Sequence, residues 1–400
     1  MKIVRVLAVN YLRKKACSVF KQISKDVTYD DVISVFRKER LLSPNFFPEA
    51  LKGLGYEVFD FIADFPEIHH FWATPPDPHQ ALVNFVCHHK PEIVYFERAA
   101  IHAVPKWIKK KIKNISSVRL ISGYWGADLS ANLSPDTFAY IDHLFSIDEV
   151  LTEQLSRYVP LTDMLRSSFD GHRVSFPAFS SRFREIAFFG TSGYGFADHR
   201  IRFLILRHLC QYFPIEMWCD EPRRDYLGEL RAQLVRWSSL LPVTLLKIAA
   251  HKIQNKRKFF LDAIAVSEGH DPFSWHLKFR PLRHEFPEIV CAPVHGAEYE
   301  NRIKETKIVF NCHVDNTALY GNMRTYEATG LGALLLTDRP EQMRKLFVPD
   351  EEIITYASLE EAKEKMIFLR DHPEIVERIA KKGYERVMRD HTIFSRAQNM

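Results

Sequence analysis

The sequence predicts an α/β fold of two domains, each built on a parallel sheet with helices on its faces. Strand-like and helix-like segments alternate along the chain, and the alternation restarts after Ser167–Ser181, a segment rich in Ser, Phe and Gly that has no clear period. Strands separated by helices are typical of βαβ units and therefore of Rossmann-like parallel sheets. The length of 400 residues also favours two domains, since single cores stop growing at about 250 to 300 residues.

Residues 1–170 are predicted to form an N-terminal Rossmann-like domain. Their β-rich segments predict strands at Ile3–Val9, Tyr56–Ile62, Glu92–Phe96, Val118–Gly123 and His143–Ile147. Apolar residues at helical spacing predict helices at Phe46–Lys52, His79–His89, Pro105–Lys113 and Val150–Tyr158. The first apolar segment is too short and too charged for a signal peptide, so a buried strand explains it better.

Residues 182–388 are predicted to form a C-terminal Rossmann-like domain. Strands are predicted at Glu185–Gly190, Ile215–Cys219, Glu288–Ala292, Lys307–His313, Ala333–Thr337 and Glu352–Thr355. Helices are predicted at Ala197–Tyr212, Tyr226–Leu240, Glu298–Thr306, Met323–Thr329, Leu359–Asp371 and Pro373–Arg389. The segment Lys247–Arg283 is the least regular part of the chain.

Composition narrows the classes of protein and ligand. With 46% hydrophobic and 26% charged residues, the chain is neither disordered nor membrane-embedded. A net charge of +5 suits anionic ligands without requiring nucleic acid, so no nucleic-acid partner is predicted. Six scattered cysteines without C-x-x-C spacing predict reduced thiols in the cytoplasm. No metal spacing and no D-x-D motif occur, so no metal site is predicted.

One basic segment, 245–261, also carries large apolar residues. Such a helix can lie on an anionic membrane surface, which predicts a peripheral contact at the inner membrane face. The alternative is a solvated helix face within an insertion.

The most specific site pattern lies around one short predicted helix, which begins near Asn322. In an open parallel sheet, ligands bind beyond the carboxyl ends of strands, where a helix N-terminus offers N–H groups to a phosphate. Arg324 supplies a guanidinium for a diphosphate, and Glu327, one turn later, can accept hydrogen bonds from both ribose hydroxyls. Spacing alone leaves an ordinary i,i+3 ion pair open. Asn311 and His313, which end the preceding strand, are predicted further contacts.

The residues of this segment resemble a known family. The sequence RTYEATGLGALLLTD at Arg324–Asp338 resembles the C-terminal signature of group 1 glycosyltransferases, particularly the branch named after a spore maturation protein. Upstream, GAEY at Gly296–Tyr299 and KIVFNCH at Lys307–His313 are similar to patterns of that branch. Further similar residues are His372–Glu374, Arg378–Ala380, Gly383, His391–Thr392 and, less specifically, Leu51–Val58. The resemblance is strong from Gly296 onward.

The resemblance implies the GT-B fold, in which two Rossmann-like domains face each other across a cleft. It implies that the C-terminal domain binds a nucleotide sugar, with Glu327 at the donor ribose and Arg324 near the phosphates. It also implies that 389–400 packs back on the N-terminal domain. The wider group has a Glu eight positions before the ribose Glu, where this chain has Leu319, so contacts nearer the transferred sugar stay open.

A second predicted binding element follows the first strand of the C-terminal domain. Gly190, Thr191, Ser192 and Gly193 belong to a glycine-rich turn between a strand and a helix, where phosphate can approach the backbone. Arg200 or Arg202 would add positive charge, and a simple flexible turn is the alternative. Asp220 ends the next strand, as the ribose-binding acid of a nicotinamide site would, but the glycines do not follow G-x-G-x-x-G.

Two further groups are predicted contacts. Asp128 follows a strand of the N-terminal domain, where it can orient an acceptor hydroxyl or serve as its base, or merely cap a turn. Glu298 and Tyr299 begin a helix of the C-terminal domain, and Tyr299 is predicted to flank the nucleotide base unless it packs in the core. The predicted catalytic residues are therefore Arg324, Glu327 and Asp128.

These features predict an enzyme, a metal-independent glycosyltransferase without a tightly bound cofactor. Its donor would be a UDP or GDP sugar, and its acceptor a hydroxyl of a glycan, a lipid-linked molecule or a protein. One alternative is a non-catalytic, transferase-like scaffold in surface polysaccharide or coat assembly, which Leu319 favours. Another is an enzyme of the same fold that isomerises a nucleotide sugar.

Overall fold

The structure is a computed structural model, and it describes residues 1–9, 12–24, 26–42, 46–72, 77–126, 129, 134–171, 175–194, 199–221, 234, 237–238, 240–252, 280–313 and 321–398. The chain divides into two compact units. The first contains Met1–Ala187, Val294–His313 and Thr317–Met400, and the second contains Phe188–Pro293 and Val314–Asn316.

A six-stranded parallel sheet forms the centre of the N-terminal half. Its strands are β1 (Lys2–Leu7), β2 (Glu57–Ile62), β3 (Ile93–Phe96), β4 (Leu120–Trp125), β5 (His143–Ser146) and β6 (Leu161–Met164). The order is β2-β1-β3-β4-β5-β6, and every neighbouring pair is parallel. Strand β1 is buried over Ile3–Leu7, as expected for a strand covered on both faces.

Helices connect these strands and cover the sheet. They are α1 (Arg13–Phe20), α2 (Tyr29–Lys38), α3 (Phe47–Gly53), α4 (Pro78–His89), α5 (Arg98–Ala103), α6 (Lys106–Lys113) and α7 (Glu149–Leu155), with 3-10 helices at Pro66–Phe71, Pro135–Phe138 and Phe179–Ser181. Helix α2 begins with a capping box, in which Thr28 and Asp31 each accept from the other's backbone N–H.

The second sheet also has six strands. They are β7 (Arg184–Thr191), β8 (Glu216–Asp220), β9 (Val290–Cys291), β10 (Thr306–Asn311), β11 (Leu334–Asp338) and β12 (Ile354–Tyr356), in the order β12-β11-β10-β7-β8-β9. Parallel pairing joins β10 to β11, β11 to β12 and β8 to β9. The two parallel sheets confirm the predicted α/β fold.

The helices described in this half are α8 (Arg200–Leu209), α9 (Val243–Lys252), α10 (Leu282–Glu285), α11 (Ala297–Lys304), α12 (Met323–Gly330), α13 (Pro340–Met343), α14 (Leu359–Asp371), α15 (Pro373–Asp390) and α16 (Ile393–Ala397). The predicted strand Lys307–His313 ends at Asn311, so His313 lies in the loop beyond it. Most of the helix predicted at Tyr226–Leu240 lies outside the described residues.

One face of the first sheet is covered partly by residues from the end of the chain. Ile393 and Ala397 of α16 belong to the same buried apolar cluster as Ile3 of β1 and Phe47 of α3. Just before them, Thr392 forms an isolated parallel bridge with Phe169. The last helix therefore packs on the first sheet through apolar contacts, and backbone hydrogen bonds join the start of this segment to Phe169.

Candidate functional site

Helix α12 begins at the carboxyl end of β10 and presents two charged side chains on one side. Asn322 caps the helix, because its side-chain oxygen accepts from the backbone N–H of Thr325 at 3.2 Å. Arg324 and Glu327 follow in the first two turns, and both side chains are half-buried. The other residues between Thr325 and Gly330, among them Tyr326, are buried.

The hydroxyl of Tyr299, at the start of α11, joins these two side chains. It donates to Oε2 of Glu327 at 2.5 Å and accepts from Nη1 of Arg324 at 2.7 Å. The guanidinium also lies 5.2 Å from the centroid of the tyrosine ring, within cation–π range. Cation, hydroxyl and carboxylate therefore form one cluster, with the hydroxyl between the two charges.

Burial raises the pKa of Tyr299 well above its ordinary value, and the neighbouring carboxylate of Glu327 adds to the rise, whereas Arg324 opposes it. The phenol therefore keeps its proton and remains a donor to Glu327. This arrangement holds the carboxylate in one orientation while leaving it further lone pairs for a ligand. The hydroxyl of Tyr299 orients the two predicted ligand groups, and its predicted place beside a nucleotide base stays a prediction.

The side chain of His313 bridges two elements in space, the end of β11 and the start of α12. Its Nδ1 lies 2.5 Å from Oδ1 of Asp338, and its Nε2 accepts from the backbone N–H of Asn322 at 3.3 Å. The hydrogen-bond pattern therefore assigns the ring proton to Nδ1. Burial alone would raise the pKa of Asp338, but the hydrogen bonds from His313 outweigh it and hold the pKa below its ordinary value.

Asn311 connects the same helix start to the sheet. Its side-chain oxygen accepts from Nδ2 of Asn322 at 3.0 Å, and its Nδ2 donates to Oγ1 of Thr337 at 2.9 Å. Asn311 and His313 are both buried, at 4% exposure, and are bonded to protein groups, and their contact with a ligand stays a prediction. Their observed contacts fix the N-terminus of α12.

The start of α11 also contacts the N-terminal half of the chain. Gly296 has a left-handed φ of +65°, and a Cβ there would lie 2.4 Å from the carbonyl oxygen of Glu39. Nζ of Lys15 donates to the carbonyl of His295 at 3.1 Å, and Arg40 forms a 2.8 Å ion pair with Glu300. These bonds place α1 and α2 beside the helix that carries Tyr299.

Glu298, another predicted contact, is exposed. Its side chain is 58% exposed and forms a 3.5 Å ion pair with Arg302 one turn later. Such a pair on a helix surface contributes little to stability, so the carboxylate stays accessible.

The glycine-rich turn of the second unit requires glycine for a steric reason. Gly190 and Gly193 have φ values of +143° and +90°, and a Cβ at Gly193 would lie 2.3 Å from the carbonyl oxygen of His199. Arg202 donates to Oγ1 of Thr191 at 3.1 Å, whereas Arg200 is exposed at the start of α8. Of the two arginines considered for this turn, Arg202 is therefore the one that holds it.

Ser192 is buried in the same turn, at 1% exposure. Its hydroxyl accepts from the backbone N–H of Tyr194 at 3.3 Å, so it stabilises the turn from within. Asp128 and Leu319 lie outside the described residues, and so does 253–261 of the basic segment. Among the residues that the structure does describe, no group of His, Cys, Asp and Glu could hold a metal ion, and no helix is long and apolar enough to cross a membrane.

Comparison with known proteins gives a family match over part of the chain and a fold match over all of it. A family model described as glycosyl transferase-like matches residues 257–400. Among curated proteins there is no match. Sucrose-phosphate synthase of Thermosynechococcus elongatus has a similar structure, with a TM-score of 0.54 and 10% identity over 100% of this chain and 97% of that chain. The chain has the GT-B fold.

Two further solved structures share this GT-B architecture. Anabaena HepE in complex with UDP-glucose has a TM-score of 0.52 and 11% identity, covering 100% of this chain and 98% of that one. An alpha-glucosyltransferase in complex with UDP-glucose and DNA containing an abasic site has a TM-score of 0.51 and 11% identity, covering 98% and 96%. Such low identities carry the fold alone, and the resemblance to the spore-maturation branch stays a prediction.

Two features of the site, the contact of Asp338 with His313 and the hydroxyl bridge of Tyr299, were not predicted from the sequence. Asp338 belongs to the quoted motif, but only the parallel pairing of β10 with β11 brings it to His313, 25 positions earlier. The hydroxyl of Tyr299 bonds to Arg324 and Glu327, which lie 25 and 28 positions later in the chain. A conspicuous signal for Asp338 was available, since a carboxylate that directly ends a buried apolar strand lies at the ligand edge of the sheet.

Proposed function

We propose that this protein is a glycosyltransferase that moves a sugar from a nucleotide diphosphate sugar to an acceptor hydroxyl. The observation that carries the proposal is the Arg324–Tyr299–Glu327 cluster at the start of α12. A nucleotide diphosphate needs a cation for its phosphates and a hydrogen-bond acceptor for its ribose. The cluster offers both within one helical turn, in a fold that also occurs in proteins solved with UDP-glucose.

The donor ribose would bind at Glu327. The Tyr299 hydroxyl holds one carboxylate oxygen, so the two ribose hydroxyls would donate to the remaining lone pairs. The network of Asn311, Asn322 and His313 fixes the helix that carries this carboxylate, which lowers the cost of ordering it when the donor binds.

Arg324 and the N-terminus of α12 would stabilise the departing diphosphate. In the chemical step, the bond between the anomeric carbon and the diphosphate oxygen breaks, and a bond to the acceptor oxygen forms. The leaving diphosphate gains negative charge, and a nearby guanidinium and helix dipole stabilise it. The acceptor hydroxyl gives up its proton, for which Asp128 remains our proposed base. Under this proposal no metal ion is needed at the diphosphate.

The glycine-rich turn at Gly190–Gly193 remains our proposed second phosphate-binding element. Its left-handed glycines leave backbone N–H groups uncovered by side chains, which suits an anion. The contact of Arg202 with Thr191 places a guanidinium at the turn, and Arg200 adds an exposed one. We propose UDP or GDP as the donor nucleotide.

The acceptor would be bound by the N-terminal half. A cleft of about 570 Å³ lies between α1 and α2, and its lining mixes polar side chains such as Ser18 and Gln22 with apolar ones such as Val19 and Ile23. Lys15 and Glu39 line the same cleft and also contact the start of α11 at Gly296. A mixed lining suits a glycan or a lipid-linked or protein-borne hydroxyl.

Two other functions would use the same site differently. A non-catalytic scaffold would bind the nucleotide without turnover. Leu319, where the wider group of transferases has a Glu, favours this alternative. A nucleotide-sugar isomerase would turn its substrate over without releasing free nucleotide. Free nucleotide release therefore separates transfer from both alternatives.

The deciding experiment is a thermal-shift screen of the full chain against UDP, GDP, ADP, CMP and the corresponding nucleotide sugars. A ligand at 100 times its Kd should stabilise the protein by about 2.7 kcal/mol. We expect one nucleoside diphosphate to raise the Tm of the wild type, and Glu327→Gln to lose most of that rise.

The matched control is Glu364→Gln, which removes an exposed carboxylate from α14 and should keep the full shift. Nucleotide release from the stabilising nucleotide sugar is then measured with added acceptors. A shift without release would favour the scaffold. No shift with any nucleotide would contradict the transferase proposal.

A further inference from the structure

The second unit carries a patch of large apolar side chains in solvent. The patch consists of Trp237, Leu240, Leu241, Leu245 and Ile248, which are 75%, 86%, 50%, 54% and 52% exposed. Single exposed apolar residues are common on protein surfaces, but five within twelve positions mark an interaction surface.

Helix α9 shows that the exposure of these residues is directional. Leu246 is 1% exposed and packs inward, so the helix already has its contact with the protein. Leu245 and Ile248, three positions apart, share the outer face, where a soluble helix normally carries polar residues. Lys247 is exposed beside them. The outer face of α9 therefore carries two large apolar side chains next to the exposed Thr244 and Lys247.

The charge of the surrounding sequence indicates the partner. Residues 230–261 contain seven Lys and Arg and no Asp or Glu. Their charge exceeds the net charge of the whole chain, +5, so the remaining residues are slightly acidic in sum. Exposed Trp and Leu beside the exposed Lys247, in a stretch of sequence with an excess of cations, fit an anionic lipid bilayer, where apolar side chains enter the interface and cations meet the headgroups.

We propose that this patch, the exposed face of Trp237–Ile248 with Lys247, docks the protein on membranes that contain anionic phospholipid. Tryptophan suits the level of the headgroups, because its ring is apolar and its indole N–H is polar. The docking is independent of the proposed transferase activity. It would bring the protein to the surface on which a lipid-linked acceptor resides.

The test is co-flotation of the full chain with vesicles of phosphatidylcholine alone or mixed with phosphatidylserine. We expect flotation with the anionic vesicles only, and a decline as salt is raised. The variant Trp237→Ser/Leu240→Ser should lose flotation. Lys247→Ala should weaken vesicle binding about fivefold, since one basic side chain near an anionic surface is worth about 1 kcal/mol.

Two matched control variants test whether the position of the substitution matters. Val348→Ser removes an apolar side chain that is 48% exposed on the first unit, and Lys21→Ala removes an exposed cation there. Both should float like the wild type. Because all substituted side chains are exposed, the Tm values of the variants should match that of the wild type, which separates lost docking from misfolding.

Tryptophan fluorescence reports insertion directly. Anionic vesicles should shift the emission of the wild type to shorter wavelength, and Trp237→Phe should remove most of that shift. Absence of flotation with anionic vesicles would overturn the proposal. So would equal flotation of the double variant and the wild type. Coverage of the patch by a second copy of the chain would also overturn the proposal. The wild type would then be a dimer in solution without vesicles, and the double variant would be a monomer.

Discussion

The hydroxyl oxygen of Tyr299 forms hydrogen bonds to two side chains of opposite charge. Its hydroxyl donates to Glu327 and accepts from Arg324, so both side chains keep their orientation before any ligand arrives. The spacing of Arg324 and Glu327, three positions apart, predicts that they share one side of a helix. The hydroxyl between them cannot be predicted from the sequence, because a hydrogen bond across two helices depends on the packing of the sheet.

Tyr299→Phe tests this role of the hydroxyl. The ring and its contact with the guanidinium remain, and only the hydrogen-bonded bridge is lost. The free energy of unfolding should therefore change by less than about 1 kcal/mol. Donor affinity should fall about tenfold, because Glu327 and Arg324 must then be ordered by the ligand itself. Calorimetric titration with the nucleotide that stabilises the wild type measures this change. Tyr212→Phe, at a 52% exposed tyrosine, is the control.

Glu97 is a buried carboxyl near a fully buried arginine. Arg5 binds both oxygens of Asp60 at 2.8 Å, and its Nη1 lies 3.9 Å from Oε1 of Glu97. Burial raises the pKa of Glu97 to about 8, and Asp60 and Asp170 add to the rise, whereas Arg5 opposes it. No sequence pattern pointed to this group, because only the pairing of β1 with β2 and β3 assembles it.

The raised pKa of Glu97 predicts a pH dependence of stability. The folded state keeps a proton that the unfolded chain releases above its ordinary pKa of 4.5. This contribution to stability is complete below that pH and is lost as the pH rises through about 8. Glu97→Gln keeps the neutral form at every pH, so its Tm should fall less than that of the wild type between these two pH values.

The control for this profile is Glu153→Gln, at an exposed position of α7, which should reproduce the wild-type profile. Tm values measured across the same pH range decide the matter. If the Glu97→Gln profile runs parallel to that of the wild type, Glu97 is ionised in the folded protein and the inferred shift is wrong.

At the scale of elements, buried strands were the easiest features to predict. All eleven predicted strands are present within a few residues, because apolar, β-rich runs mark strands that are covered on both faces. Strand β6 (Leu161–Met164) was missed, since it is an edge strand with exposed residues and no apolar run. Helix α2 was missed even though Thr28 and Asp31 form a recognisable capping signal before it.

The glycine-rich turn after β7 is an element whose shape follows from one residue. Gly193→Ala would place a Cβ 2.3 Å from the carbonyl of His199 at a φ of +90°. We expect this change to lower the free energy of unfolding by about 1 to 3 kcal/mol, measured by urea denaturation. If the turn holds phosphate, the nucleotide-induced Tm shift should fall as well.

Gly53→Ala is the matched control for Gly193→Ala. This glycine ends α3, has no positive φ, and a Cβ there would meet nothing within 4 Å. Alanine favours helix, so stability should be unchanged or rise by a few tenths of a kcal/mol. Equal effects at the two glycines would show that the turn after β7 is not sterically constrained.

At the scale of the whole molecule, packing joins segments that lie far apart in the chain. The order of elements predicts two successive domains, and the two parallel sheets are observed. The first compact unit nevertheless combines Met1–Ala187 with Val294–His313 and the end of the chain. Apolar periodicity cannot show this grouping, because it reports which face of an element is buried and not which element covers it.

Arg182 is the residue that ties these segments together. Its guanidinium is buried and donates to the carbonyl oxygens of Ile303, Thr306 and Leu331, at 3.1, 2.7 and 2.8 Å. Burial lowers the pKa of Arg182 to about 10, so the side chain still carries its charge at neutral pH. Gly332 makes room for it, since a Cβ there would lie 2.7 Å from Nη2.

Arg182→Leu should therefore weaken the whole first unit rather than one element. The substitution removes a buried charge, which is favourable, but it leaves three buried carbonyls without their donor. We expect the free energy of unfolding to fall by about 2 kcal/mol or more, measured by urea denaturation. Arg344→Leu, at a side chain that is 60% exposed, should stay within about 0.5 kcal/mol of the wild type. If the two variants are equally stable, the hydrogen bonds of Arg182 do not contribute to holding the segments of the first unit together.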